Sequence, residues 1–258
     1  APELFAAGSS QSALQELTPE VIFAAPTRDI ALDAKGSQLA TIARNHQALI
    51  IDLDDGSQRS VGPHTNIADC EFSPDGKCLI TSTWQGSGVK VWELEGGTLL
   101  RDLAPTASNA TLTVDPSDHR LVVVTPDRRM VWDTQNWNPF WDQPRAAPDE
   151  WPGDSAVSPD GRWLIATYSR HVPQLIDLSS ETPLTLLAGP VRTSLGGLDW
   201  SDNGRYVSVA YESTIQVWDL TAIQSRLAEW DLDWTNRRQR QASTNQATST
   251  PASHPRRN

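Results

Sequence analysis

The stretch FSPDGKCLITSTWQGSGVKVWEL, residues 72–94, and the stretch VSPDGRWLIATYSRHVPQLIDL, residues 157–178, share one layout. In the first, Cys78–Thr83 and Val89–Trp92 are short runs rich in β-branched and aromatic residues, punctuated by Pro74-Asp75-Gly76 and Gly86-Ser87-Gly88. Such a pattern reads as strand, turn, strand, turn, strand. Asp-Gly and Gly accept the positive φ of tight hairpins, and Pro presets φ ahead of them.

Working outward, the same order recurs at five turns: Asp33–Gly36, Ser73–Gly76, Asp115–Asp118, Ser158–Gly161 and Ser201–Gly204. Their last residues are 40, 42, 43 and 43 apart. Each turn is followed 15 to 17 residues later by an acidic position closing an apolar strand: Asp52, Glu93, Asp133, Asp177 and Asp219. Two landmarks thus keep one register, and a period of about 40–45 residues with several strands per unit predicts a β-propeller. One four-stranded blade has two apolar faces that it cannot cover alone, so neighbours stack around a channel. Leu121–Val124 and Trp163–Ala166 are expected in the blade core.

On Val89-Lys90-Val91-Trp92-Glu93-Leu94, Arg129-Met130-Val131-Trp132-Asp133 and Ile215-Gln216-Val217-Trp218-Asp219-Leu220, the sequence resembles the WD-repeat family over about residues 20–234. The resemblance implies an all-β propeller of four-stranded antiparallel blades, five of them visible, that acts as a platform for protein binding.

Residues 1–19 are poorly patterned, and Glu20–Ala25 reads as a single outer strand. The repeats then run around 27–64, 65–104, 105–148, 149–190 and 191–220. The fifth has three inner strands, about 195–200, 206–211 and 214–219, and then changes period. Leu220, Ile223, Leu227 and Trp230 form a helical apolar stripe over 221–230, with Thr221 and Gln224 spaced as a capping box. The last repeat therefore lacks an outer strand, and the strand at 20–25 is its natural substitute. Five blades would then close a small ring; the alternative is the C-terminal part of a seven-bladed one. Leu227–Trp234 resembles the closing segment of bacterial WD-repeat proteins whose N-terminal region carries a signalling module, often a Ser/Thr protein kinase. No kinase motif occurs in this chain, so the resemblance implies a neighbouring domain in a larger signalling protein. Thr235–Asn258, rich in Ser, Thr, Gln, Asn and Arg, is expected to be disordered.

Composition narrows the function classes. The formal charge is −11, yet the stretch from Thr235 onward holds Arg237, Arg238, Arg240, Arg256 and Arg257 and no acid, so the propeller body is more acidic still. A body of that sign argues against nucleic acid as a partner. No run approaches the ~18 apolar residues of a membrane span. Cys70 and Cys78 read as buried small side chains rather than a disulfide framework.

Linear catalytic motifs are absent: no nucleophile elbow, no phosphate-cradling Gly-Lys loop and no zinc-spaced Cys pair. Asp52–Gly56 resembles the opening of a calcium loop, but the position twelve along is Pro63 and the next repeat has Glu93–Gly97 in the same slot, so both read as turns. No cofactor and no metal ligand set is assigned. His64, Ser82 and Trp92 could form the buried network of a complete WD repeat, although Gly86 stands where its Asp would be. The unusual stretch Trp137-Asn138-Pro139-Phe140-Trp141-Asp142-Gln143-Pro144-Arg145, with Trp151 and Trp84, supplies the residue types that anchor protein interfaces. The expected partner is a protein or peptide held on one propeller face by Trp84, Trp137, Phe140, Trp141, Arg145 and Trp151; the alternative is that these rings pack over the edge of their own blade. The alternative function is a propeller-type hydrolase or lyase with a polar site at the central channel.

Overall fold

The computed structural model describes residues 29–43, 46–115, 119–145, 151–179, 182–190 and 193–230. The strand expected at 20–25, the segment 1–19 and the tail 235–258 lie outside them. The described chain forms five antiparallel meanders in chain order. The first sheet is β1 (Ile30–Leu32), β2 (Gln38–Ala43), β3 (Gln47–Asp52) and β4 (Gln58–Val61), and the second is β5 (Ile67–Phe72), β6 (Cys78–Thr83), β7 (Val89–Glu93) and β8 (Leu99–Asp102). The third is β9 (Thr111–Asp115), β10 (Arg120–Val124), β11 (Arg128–Asp133) and β12 (Pro139–Pro144), and the fourth is β13 (Ser155–Val157), β14 (Trp163–Ser169), β15 (Val172–Asp177) and β16 (Thr182–Leu186). The fifth has three strands, β17 (Leu195–Trp200), β18 (Tyr206–Tyr211) and β19 (Thr214–Asp219), after which the chain enters helix α1 (Leu220–Ala228).

The turns form for a chemical reason that repeats. Ser73 Oγ accepts from the N–H of Cys78 at 2.9 Å, and Ser158 Oγ and Ser201 Oγ accept from Trp163 and Tyr206 in the same way. In the first sheet the Asp33 carboxylate takes that part toward Gln38. Gly76 closes the turn at φ 68°, a left-handed conformation that a side chain would strain.

The first strands β1, β5, β9, β13 and β17 contact one another in series, so they form one inner edge along which the sheets stack face to face. Ile42 and Ile50 pack with Phe72 and Leu79; Val89 and Val91 pack with Leu112 and Leu121. Val124 and Val131 pack with Leu164 and Ile176, and Ile165 and Leu175 with Trp200 and Val207. All six residues of β6 are buried, because a middle strand is covered on both faces. Leu121–Val124 and Leu164–Ala166 are fully buried, as expected, with Trp163 only partly so.

Side-chain straps join successive sheets. Four residues before each turn stands Asp29, Asp69 or Asp154, whose Oδ2 accepts the backbone N–H of Cys70, Leu112 or Leu198 on the next first strand at 2.8–2.9 Å. The third sheet has Thr111 there, and its Oγ1 donates to the Gly153 carbonyl. The fifth has Gly197, with no side chain to offer.

The helix begins at Leu220 rather than 221, and its N-cap is Asp219, not Thr221 with Gln224: the Asp219 carboxylate accepts from the Ala222 N–H at 3.0 Å. Arg205 holds that carboxylate in place, which lets it answer the free N–H groups of the first turn better than a hydroxyl inside the helix could. No helix among the described residues is long and apolar enough to cross a membrane.

Candidate interaction surface

In each meander the first-to-second and third-to-fourth strand turns fall on one rim, here the turn rim. The remaining loops fall on the other, the loop rim. The turn rim is acidic, with Asp54, Asp55, Asp75, Glu95, Asp160 and Asp202 exposed. The Asp52–Gly56 segment is a turn between β3 and β4, with Asp52 Oδ1 accepting the Asp54 and Asp55 N–H groups.

The six aromatic and Arg candidates do not converge. Trp137 and Phe140 lie on the turn rim, Trp84, Arg145 and Trp151 on the loop rim, and Trp141 inside β12. Trp84 is 40% exposed and Phe140 38%. Trp137 and Trp151 are half-buried against sheet cores. Trp141 and Arg145 are each only 3% exposed, which takes both out of the expected partner-facing set. Strand alternation turns Phe140 outward and Trp141 into the core between the third and fourth sheets. Arg145 reads as an anchor in sequence but is an internal staple: its Nη1 donates to the carbonyls of Thr125, Pro126, Trp151 and Pro152 at 3.0–3.2 Å.

Around Trp84 the loop rim carries a hydrogen-bonded belt that the sequence did not announce. The Trp84 N–H donates to the Asn66 carbonyl, Asn66 Nδ2 to the Gln85 carbonyl, and the Gln85 N–H to Asn109 Oδ1 at 2.7 Å. The Asn66 N–H in turn donates to His46 Nδ1 at 3.2 Å. Three members, His46, Asn66 and Gln85, sit at φ 61°, 57° and 56°. Left-handed backbone at residues other than glycine is uncommon and persists where surroundings over-determine it. Residues 64–66, 84–88 and 105–110 contain no Asp, Glu, Lys or Arg, so Trp84 stands on a neutral patch of an acidic protein.

Beneath the belt lies a buried chain of polar groups. Trp92 Nε1–H donates to Thr81 Oγ1 at 2.9 Å, and Thr81 Oγ1 is 2.8 Å from His64 Nδ1. His64 Nε2 lies 2.9 Å from the Ser87 carbonyl, which has no hydrogen to give. Nε2 therefore carries the proton, Nδ1 accepts from the Thr81 hydroxyl, and the ring is neutral. Burial, the leading cause, holds the His64 pKa below its ordinary value in agreement with that assignment. The hydroxyl of this network belongs to Thr81, not Ser82, whose Oγ donates instead to the Ala110 carbonyl. A backbone carbonyl stands where a carboxylate was expected. In the third and fifth sheets Val123 and Val209 hold the Thr81 register, and the buried Nε1 of Trp132 and Trp218 is left without a partner.

Carboxylates gather along the first strands. Burial first, and the charge of Asp29 second, push the Asp69 carboxyl well above its usual range and that of Glu71 up to about 7. Burial likewise raises Asp154. Among the described residues no three His, Cys, Asp or Glu side chains cluster as metal ligands would. Both cysteines are free and buried.

Comparison with known families returns the WD domain, G-beta repeat, matched at residues 56–93 and again at 181–219. Each match covers the outer strand of one sheet and the three inner strands of the next, β4–β7 and β16–β19. These two matches support a WD-repeat family and, with the four-stranded antiparallel sheets, the blades of a propeller. WD repeats generally mediate protein interactions. No curated protein matches the sequence.

Proposed function

We propose that this chain is a non-catalytic protein-binding platform whose loop rim, centred on Trp84, takes an uncharged peptide segment of a partner protein. The observation that carries this reading is an exposed tryptophan on a neutral belt whose backbone is already fixed in left-handed conformations. Tryptophan buries large area at small entropic cost, and a belt ordered before binding has little freedom left to lose. Trp151 extends the same rim, whereas Trp137 and Phe140 lie on the opposite one.

Asp29, Asp69 and Asp154 each commit an oxygen to the next strand, which favours a platform over the alternative of a hydrolase or lyase at the channel. The resemblance of Leu227–Trp234 to bacterial signalling proteins sets the platform within a larger signalling polypeptide, a protein kinase being the neighbour that resemblance implies. Residues 20–25 close five blades, or further blades of that polypeptide complete a larger ring.

A phage-displayed random peptide library, selected on the wild-type protein, tests the platform. Enriched peptides should lose binding to Trp84→Ala and keep it on Phe140→Ala. No enrichment, or binding indifferent to Trp84, removes the proposal.

A further inference from the structure

In the third strands of the first, second and fourth sheets, Ala48, Val89 and Pro173 stand three residues before Ile51, Trp92 and Ile176, and all three are buried. The third sheet has Arg129 in that register, three residues before Trp132 and only 3% exposed. A guanidinium therefore lies where the other sheets put an uncharged side chain.

Its partners are few. Arg129 Nη1 donates to Gln174 Oε1 on β15 at 2.7 Å, and its Cζ lies 5.9 Å from the centre of the Trp141 ring. Its Nε is buried without a partner, and no carboxylate among the described residues forms an ion pair with it. The acids at this end of the sheet are committed elsewhere: Asp127 Oδ1 accepts from the Thr125 hydroxyl at 2.9 Å, and Asp142 pairs with Arg128 at 2.8 Å. Burial first, and the charge of the equally buried Arg145 second, push the Arg129 pKa down to about 10. An unpaired charge held out of water is costly, whereas an apolar side chain of similar volume in its place is often neutral or stabilising. An arginine kept in an apolar register thus points to an anion brought to it.

We infer that the loop-rim end of β11 is an anion site, in which Arg129 takes a carboxylate of a partner protein, from an acidic side chain or a C-terminus. With Nη1 engaged, one edge of the guanidinium remains, Nε with Nη2, and two parallel N–H groups match the two oxygens of a carboxylate. A phosphate has further oxygens that need donors, and the groups around the neighbouring Arg145 are carbonyls, which accept. Because β11 starts at the loop rim, the carboxylate enters from the side of the protein that carries Trp84.

Thermal unfolding of the full chain in sodium acetate, set against sodium chloride at equal ionic strength, tests the site. Acetate should raise the Tm of the wild-type protein by a few degrees, and the rise should saturate and be absent in Arg129→Leu. Leucine suits a register that holds Val89 in the second sheet, so this variant should fold. Equal Tm in the two salts, or an acetate rise that survives Arg129→Leu, overturns the site. Should the variant fail to fold, the wild-type protein still decides: the Arg129 Nε–H resonance in NMR should shift with acetate and saturate, and a resonance indifferent to acetate overturns the site. Inorganic phosphate acting where acetate does not overturns the choice of a carboxylate. An acetate effect that appears only in Asp149→Asn/Glu150→Gln would make the anion the chain's own and overturn the partner. Acetate binding at Arg129 does not depend on a peptide at Trp84, so either reading can fail alone.

Discussion

Replacing Thr81 by Val should cost about 2–6 kcal/mol of unfolding free energy. Valine matches threonine in shape, so packing is conserved and only the hydroxyl is lost. That hydroxyl is fully buried and accepts the Trp92 indole N–H while donating to His64 Nδ1. Trp92 and His64 are 4% and 1% exposed, so water cannot replace it. Two buried polar atoms lose their partners, each at about 1–3 kcal/mol, against a total stability of about 5–15 kcal/mol. Urea unfolding followed by circular dichroism measures the loss. In a Trp92→Phe background the same substitution should cost about 1–2 kcal/mol less, because the indole N–H is already gone. The reciprocal changes Val123→Thr and Val209→Thr offer a hydroxyl to Trp132 and Trp218 and should each gain about 1 kcal/mol. A Thr81→Val cost below about 0.5 kcal/mol would falsify the account, since unsatisfied buried donors could not then be what limits these blades.

Glu71 sets a pH dependence. Its folded carboxyl titrates near 7 against an ordinary 4.5, so between those values the folded chain holds a proton that the unfolded chain has lost. Stability therefore falls as pH rises across that window, with the full penalty present above 7; Glu71→Gln should raise stability at pH 8 by about 1–3 kcal/mol and do little at pH 4. Arg145→Met removes the donor shared by four carbonyls and should destabilise by about 2–4 kcal/mol in chemical denaturation, with no compensating change at the surface. Trp84→Ala, at a residue 40% exposed, should leave the melting temperature within a few degrees of wild type, which separates binding from folding in the peptide selection.

Much of the fold could be read because each blade needs the same local chemistry. An oxygen at the first turn position and a glycine at positive φ leave a mark at fixed spacing, and Leu121–Val124 announces a strand covered on both faces. The same double coverage hid the network hydroxyl. Thr81 and Ser82 are adjacent in a strand buried on both sides, and only the pairing of Leu79 opposite Trp92 puts Thr81 on the tryptophan's face. Residue type marked Trp141 and Arg145 for a surface that pleat and carbonyl geometry deny them. The belt at Trp84 arises where loops from three sheets approach one another, and nothing periodic along the chain records that approach. Asp69 and Asp154 were visible as a repeated letter four places before a turn, but their strap partners lie 43 and 44 residues on.

The family matches begin and end out of step with the sheets, each taking one outer strand from a sheet and three strands from its successor. The chain is laid like brickwork, with every covalent unit overlapping a joint in the hydrogen-bonded course. A cut at a repeat boundary strips a strand from the neighbouring blade, and a cut at a sheet boundary splits a repeat. Shuffling single repeats between proteins therefore exchanges parts of two sheets at once, whereas moving a segment such as 67–102 transfers one whole sheet.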